Sequence, residues 1–258
     1  MNHSELSDPQ HGITILEDMV TPFGRIQIYQ SAKDGSRTFY QDACFHSRAD
    51  ANGQSLIAYI HAMYGVLLQA RAHDIAVLGC AGGTLATMLA LAGCKVTVVD
   101  INPHAFELAK RYFNLPDSVE CVVDDARLFL EHTDAQFDGI AIDVFAGGVI
   151  PPHLRNVEFF RVASGRLRPG GVIVANVIID HDLDLLADHI AAGMTEATGL
   201  PVALFDEMQQ PDRNIVIVAG ALSAVLPRGT EPESIRRELE QMKMREVRRQ
   251  AVAYREGQ

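Results

Sequence analysis

The chain predicts an α/β protein: a seven-stranded, mostly parallel, doubly wound, Rossmann-like sheet preceded by a small antiparallel β domain. Three observations predict it. Continuously apolar runs alternate with helix-length segments from residue 75 onward, as strands buried on both faces should. The run Ile75–Leu78 enters the glycine-rich turn Gly79-Cys80-Ala81-Gly82-Gly83, and Asp100 closes a second apolar run 21 residues after Gly79, the pattern of a nucleotide-binding βαβ unit. Ahead of these, residues 11–45 alternate polar and apolar side chains around the turn signals Pro22-Phe23-Gly24 and Asp34-Gly35.

Taken in order, Ile13–Leu16, Arg25–Tyr29 and Thr38–Tyr40 read as the short antiparallel strands. From Gln54 to Ala70 the residues Leu56, Ile60, Met63 and Leu67 recur at helical spacing and form a connecting helix. Strands are expected near 75–79, 95–100, 119–123, 138–143, 171–177, 201–205 and 214–219. Helices are expected near 84–92, 103–113, 126–131, 156–166 and 182–198. The last two strands are separated by too few residues for a crossover helix, so they should pair as a hairpin. The tail Glu231–Arg255 is charged and weakly amphipathic through Ile235, Leu239, Met242, Val247 and Val252, which suggests a terminal helix on the surface or at a subunit contact. Domain boundaries follow: 1–53 for the β domain, 54–225 for the nucleotide-binding domain, 226–258 for the tail.

A net charge of -11 argues against nucleic acid as the main partner, since phosphate binding needs Lys and Arg patches. No apolar run reaches the ~18 residues of a membrane span, and no signal peptide is read in Met1–Gln10. Cys44, Cys80, Cys94 and Cys121 lack metal-ligand spacing and fit free thiols in a reducing cytoplasm. The ten histidines show no ligand pattern, so no metal is expected, and no Gly-x-Ser-x-Gly elbow supports a serine nucleophile.

The candidate chemistry lies in acids at strand ends. Asp100 is followed by Asn102-Pro103, which already supply an N-cap and first-turn proline, so Asp100 is free to accept ribose hydroxyls. Of Asp124 and Asp125, one should cap the helix that follows and the other should meet an adenine amino group, with Asp125 favoured for the adenine. Asp143 precedes an irregular segment, Val144–Pro152, whose Gly-Gly and Pro-Pro pairs suit a hinged lid. A structural hydrogen bond from Asp143 to that loop is the plainer alternative.

These pieces together resemble the spermidine synthase family of aminopropyltransferases, in its bacterial spermidine synthase-like branch. The resemblance runs over residues 12–220. It is carried by Thr21-Pro22-Phe23-Gly24, the glycine loop, Val98-Val99-Asp100-Ile101-Asn102-Pro103, Asp125-Ala126-Arg127, Asp143, Pro152-His153-Leu154 and Leu167-Arg168-Pro169-Gly170-Gly171. It implies decarboxylated S-adenosylmethionine, or S-adenosylmethionine, as co-substrate, a small-molecule amine as acceptor, and no metal. It implies that Gly79, Ala81, Gly82, Gly83, Asp100, Ile101, Asp125, Ala126 and Asp143 hold that co-substrate, that Asp143 accepts the proton, and that His46 and Tyr59 line the acceptor site. A homodimer in the cytoplasm is expected. Two departures stand out: Gly82 and Ala146 occupy positions where such enzymes carry carboxylates. Methyl transfer and a non-catalytic module that binds an adenosyl metabolite are the alternatives.

Overall fold

A computed structural model describes residues 12–42, 44–220 and 231–248. Strands β1 (Ile13–Thr21), β2 (Gly24–Ser31), β3 (Arg37–Gln41) and β4 (Cys44–Ala49) form an antiparallel sheet in that order. β4 extends the expected three strands. Its small and polar side chains hide it from a hydrophobic pattern, yet it pairs with β3 through a bulge at Phe39/Tyr40. Ile26, Ile28 and Phe39 of this sheet pack on Phe113 and Leu108, so the β domain sits against the nucleotide-binding domain.

Helix α1 (Ala58–Gln69) leads into β5 (Asp74–Leu78), α2 (Thr84–Leu91), β6 (Lys95–Asp100), α3 (Pro103–Tyr112), β7 (Glu120–Val123), α4 (Ala126–His132) and β8 (Phe137–Ile142). A 3-10 turn at Pro152–Leu154, α5 (Val157–Gly165), β9 (Leu167–Ile179), α6 (Leu186–Thr198), β10 (Val202–Asp206) and β11 (Arg213–Ala219) complete the alternation. α1 begins later than its apolar spacing suggests, because Ser55 is bridged to Ala49 and its Oγ accepts the Ile57 amide. α6 also begins late, where the Asp184 side chain accepts the Leu186 amide.

The large sheet has eight strands, not seven. Its order is β12-β10-β11-β9-β8-β5-β6-β7, parallel at its centre, with β11 antiparallel to both β9 and β10. The additional strand comes from the tail: α7 (Glu233–Gln241) stops at Met242, and β12 (Lys243–Arg245) pairs with β10. A continuous helix is prevented by ion pairs. Arg245 reaches Asp188 at 2.7 Å and Asp206 at 2.8 Å, two carboxylates that are almost wholly buried. A buried carboxylate without a partner costs several kcal/mol, so the tail folds to meet them. Val252 and the residues before Gly12 lie outside the described residues.

One core lies under α1, α2, α3 and α7 and a second under α4, α5 and α6, so helices cover both faces of the sheet. That arrangement puts the carboxyl ends of β5, β6, β7 and β8 along one edge, where a crevice opens. No described helix is long and apolar enough to cross a membrane.

Candidate active site

β5 is followed by Gly79, whose φ of +95° and closeness to the end of β8 both demand glycine: a Cβ there would meet the Asp143 carbonyl oxygen at 2.2 Å. This tight approach joins the glycine loop to Asp143, the residue after β8. The Asp143 amide continues the sheet by donating to the Leu78 carbonyl at 2.9 Å. Its carboxylate is recessed and accepts two hydrogen bonds, from Asn176 Nδ2 at 2.9 Å and from the Tyr59 hydroxyl at 3.2 Å. Burial pushes Asp143 up to about 6, against the lowering effect of these two donors. The same burial, with the Asp143 charge beside it, holds the Tyr59 phenol well above its ordinary value, so Tyr59 stays a donor.

Two cavities meet at Asp143. The larger, about 680 Å³, is lined by five aspartates: Asp42, Asp100, Asp124, Asp125 and Asp143. The smaller, about 340 Å³, carries Tyr59, Asn176, Asn214 and Asp212 around Asp143. Gly79, Cys80, Ala81, His46 and Phe145 line both. No Lys or Arg is among the described residues lining either one. Burial lowers His46 below its usual range, which keeps the imidazole neutral near pH 7.

Asp100, at the end of β6, accepts the Cys80 amide on Oδ2 and the Asn102 amide on Oδ1, each at 2.8 Å. Burial nevertheless raises its pKa. A carboxylate has about four lone-pair sites, so two remain for hydroxyl donors. Asn102 caps α3 by accepting the His104 amide, which leaves Asp100 out of the capping.

Asp125 corrects the expected division of labour, in which the capping acid and the cavity acid are different residues. Its Oδ1 caps α4 by accepting the amides of Arg127 and Leu128, and its Oδ2 meets His153 Nε2 at 2.9 Å while facing the larger cavity. Burial acts upward on this carboxyl, but the His153 and backbone hydrogen bonds hold it below its ordinary value. Asp124 accepts the Asp125 amide instead. Ile101 and Ala126 line the larger cavity and Gly83 the smaller.

Gly82 is the exception among the expected contacts, since it lines neither cavity. Its amide donates to Ser47 Oγ at 3.1 Å, and a Cβ would lie 2.9 Å from the Ser47 Cβ and 3.1 Å from the Phe113 ring. Position 82 is a packing contact with β4 and with Phe113 at the end of α3, and it has no room for a carboxylate. Ala81, which with Gly79 and Cys80 lines both cavities, is itself in left-handed backbone at φ +45°. Ala146 lines the larger cavity from a tight turn in which Ala146 and Val149 exchange backbone hydrogen bonds around Gly147 and Gly148.

Asn176 escaped sequence reading, although its signal was available: it is the lone polar side chain within the apolar run Val172–Ile179. A polar group in a strand buried on both faces needs a partner, and Asp143 is that partner. His153 was legible as part of a motif, but its pairing with Asp125 was not.

Residues 75–171 match a family model described as "Methyltransferase domain". An N-terminal histidine N-methyltransferase of Emericella nidulans is 34% identical over 112 residues, 42% of this chain and 20% of that protein. A polyamine aminopropyltransferase of Vibrio vulnificus is 30% identical over 130 residues, 46% of this chain and 44% of the relative. The chain thus spans less than half the length of either. In three dimensions it is similar to a probable spermidine synthase from Corynebacterium glutamicum, with a TM-score of 0.74, 24% identity and coverage of 93% of this chain and 92% of that one. Fold and sequence define the class: a methyltransferase-type α/β domain behind a small antiparallel sheet. Within that class the chain is similar in sequence to polyamine aminopropyltransferases over less than half its length, and in fold to a probable spermidine synthase.

Proposed function

We propose that the chain is a transferase that binds decarboxylated S-adenosylmethionine and moves its aminopropyl group to a small amine. The observation that carries this reading is the shared carboxylate of Asp143, recessed where two acid-lined cavities meet. In the larger cavity, Asp100 would accept the ribose hydroxyls and Asp125 the adenine amino group, with Ile101 and Ala126 against the base. The aminopropyl chain and sulfonium would lie near Asp143, and the acceptor would fill the smaller cavity beside Tyr59 and His46.

The reaction is a displacement at the carbon next to sulfur. The acceptor nitrogen donates its lone pair to that carbon, the carbon–sulfur bond breaks, and its electron pair returns to sulfur as a neutral thioether. The nitrogen must first be unprotonated, and its proton passes to Asp143. With its pKa raised to about 6, Asp143 is ionised at pH 7 and more basic than an ordinary aspartate. The Asn176 and Tyr59 hydrogen bonds fix its orientation.

The likeness to a histidine N-methyltransferase keeps methyl transfer as the second reading. Against it, the intact co-substrate carries a carboxylate, which would enter a cavity set with five aspartates and no Lys or Arg among its described lining residues, where His153 is already paired with Asp125. Titration calorimetry with both nucleosides tests the choice. The decarboxylated form is expected to bind more tightly; an intact form that binds at least tenfold tighter, about 1.4 kcal/mol, overturns aminopropyl transfer. A third reading, an adenosyl-binding module without catalysis, is favoured if nucleoside binds but no amine in a panel is turned over.

A homodimer is part of the proposal, supported by the exposed Val20 on the sheet-edge strand β1. So is a reducing, cytoplasmic setting, which the four free thiols suit.

A further inference from the structure

Ion pairs tie the tail to one wall of the smaller cavity. Asp188 lies in the first turn of α6 and Asp206 at the end of β10, and both are buried. Among the described residues, Asp188 finds its partners only in the tail. They are the Arg245 side chain at 2.7 Å, the Arg248 amide at 2.8 Å and the Arg248 side chain at 3.8 Å. Asp206 is shared: its Oδ2 accepts from Arg245 at 2.8 Å and its Oδ1 from Arg213 Nε at 2.6 Å. Arg213 reaches on to Asp182 Oδ1 at 2.6 Å and to the Gln210 carbonyl at 2.5 Å. Arg248 donates to the Asp182 carbonyl.

Three guanidinium groups thus meet three carboxylates, and two of the cations come from the tail. Without the tail, Arg213 alone would face all three acids, two of them buried, and its fork cannot serve them all. Docking of the tail therefore decides where Arg213 sits. Arg213 is flanked by Asp212 and Asn214, and both of these line the smaller cavity. Successive strand residues face opposite ways, so an anchor on Arg213 sets the face that its neighbours present. The register carries the constraint across to β9. Asn214 is opposite Ile178, another lining residue, and the Asp212 amide donates to the Asp180 carbonyl at 3.1 Å.

We propose that the tail strand β12 is a strap that holds the β9–β11 wall of the smaller cavity in place, with Arg245 and Arg213 as positioning residues that act through Asp206. Arginine suits both positions, because a planar fork can serve two carboxylates at once where lysine offers a single point charge. Neither side chain lines either cavity, so each reaches the site only through the wall. Loosening the strap is then felt in the smaller cavity and spares the nucleoside cavity on the far side of Asp143. Only this kinetic consequence rests on the transfer reading above; the mechanical link between tail and wall does not.

Hydrogen exchange in the full-length protein, compared among the parent, Arg245→Met and Arg245→Lys, tests the link. In Arg245→Met, the amides of Arg213–Val216 at the start of β11 are expected to exchange about tenfold faster, over and above any change across β5. Arg245→Lys should fall between the other two, and it carries the test alone should Arg245→Met fail to fold. Equal acceleration in β11 and β5, or none in either, reduces Arg245 to a contributor to global stability and overturns the strap. The kinetic readout uses 1,4-diaminobutane with decarboxylated S-adenosylmethionine. KM for the amine should rise about tenfold in Arg245→Met, with kcat and the affinity for 5′-methylthioadenosine nearly unchanged. A KM that does not move in an active enzyme overturns the strap. If the exchange pattern appears but none of the three proteins alkylates the amine, the strap stands and only the transfer reading fails.

Discussion

Asn176 donates through Nδ2 to Asp143 Oδ1 at 2.9 Å, from the strand adjacent to the one Asp143 follows. The bond fixes the carboxylate at the junction of two cavities, and it makes Asp143 both the most exposed to test and the most informative.

Replacing Asp143 with Asn removes the proposed proton acceptor while keeping its size. A fall in kcat of about 10²- to 10⁴-fold is expected, with nucleoside affinity changed far less. In the parent protein, kcat should climb with pH to about 6 and then level. Steady-state rates from pH 5 to 9 check both. Unchanged turnover in Asp143→Asn removes the residue from the mechanism.

The same group leaves a mark on stability. Its folded pKa, about 6, lies above the ordinary aspartate value of 3.8, so between these values the folded state retains a proton that the unfolded chain has released. Stability therefore declines as pH rises through that window, by on the order of 3 kcal/mol. Asp100, raised in the same direction by burial, contributes with the same sign. Urea midpoints at pH 4.5 and 7 should show a smaller decline for Asp143→Asn than for the parent.

Asp125 combines two tasks that substitutions can separate. Asp125→Ala should cost about 1 kcal/mol through the lost α4 cap and also weaken adenosyl binding about tenfold. Asp125→Ser retains a capping oxygen, so its stability should stay near the parent while nucleoside affinity still falls. Denaturation and calorimetry on the pair discriminate the two losses.

The glycine loop offers a contrast between neighbours. Gly82→Asp should destabilise by about 1–3 kcal/mol, because its Cβ meets Ser47 and Phe113. Ala81→Asp faces the cavities, and aspartate tolerates left-handed backbone, so Tm should hold. The added charge should raise the preference for decarboxylated over intact nucleoside, which competitive calorimetry measures.

In the tail, Arg245→Met strips a partner from Asp188 and Asp206, which are 0% and 1% exposed. Because Asp206 keeps Arg213 at 2.6 Å and Asp188 keeps the Arg248 amide at 2.8 Å, a loss of about 1–3 kcal/mol is expected in urea denaturation.

Much of this was legible before any coordinates. The doubly wound order, the final hairpin and the three strand-end acids announce themselves because each acid closes an apolar run, and such runs determine where a sheet edge falls. Features that depend on contacts distant in sequence did not. β12 exists because Arg245 finds carboxylates on α6 and β10, a pairing that no local periodicity encodes. The double role of Asp125 depends on His153 arriving 28 residues later. Nothing in the glycine loop's sequence says which of Ala81 and Gly82 is crowded, and only Ser47 behind Gly82 reveals it.

Walls furnished with aspartates, and without Lys or Arg among the described residues, set a direction for traffic. A guest that arrives positively charged is held by them, and one that loses its charge inside is let go. Chemistry that converts sulfonium to thioether would then empty the chamber without any moving part to expel the spent nucleoside.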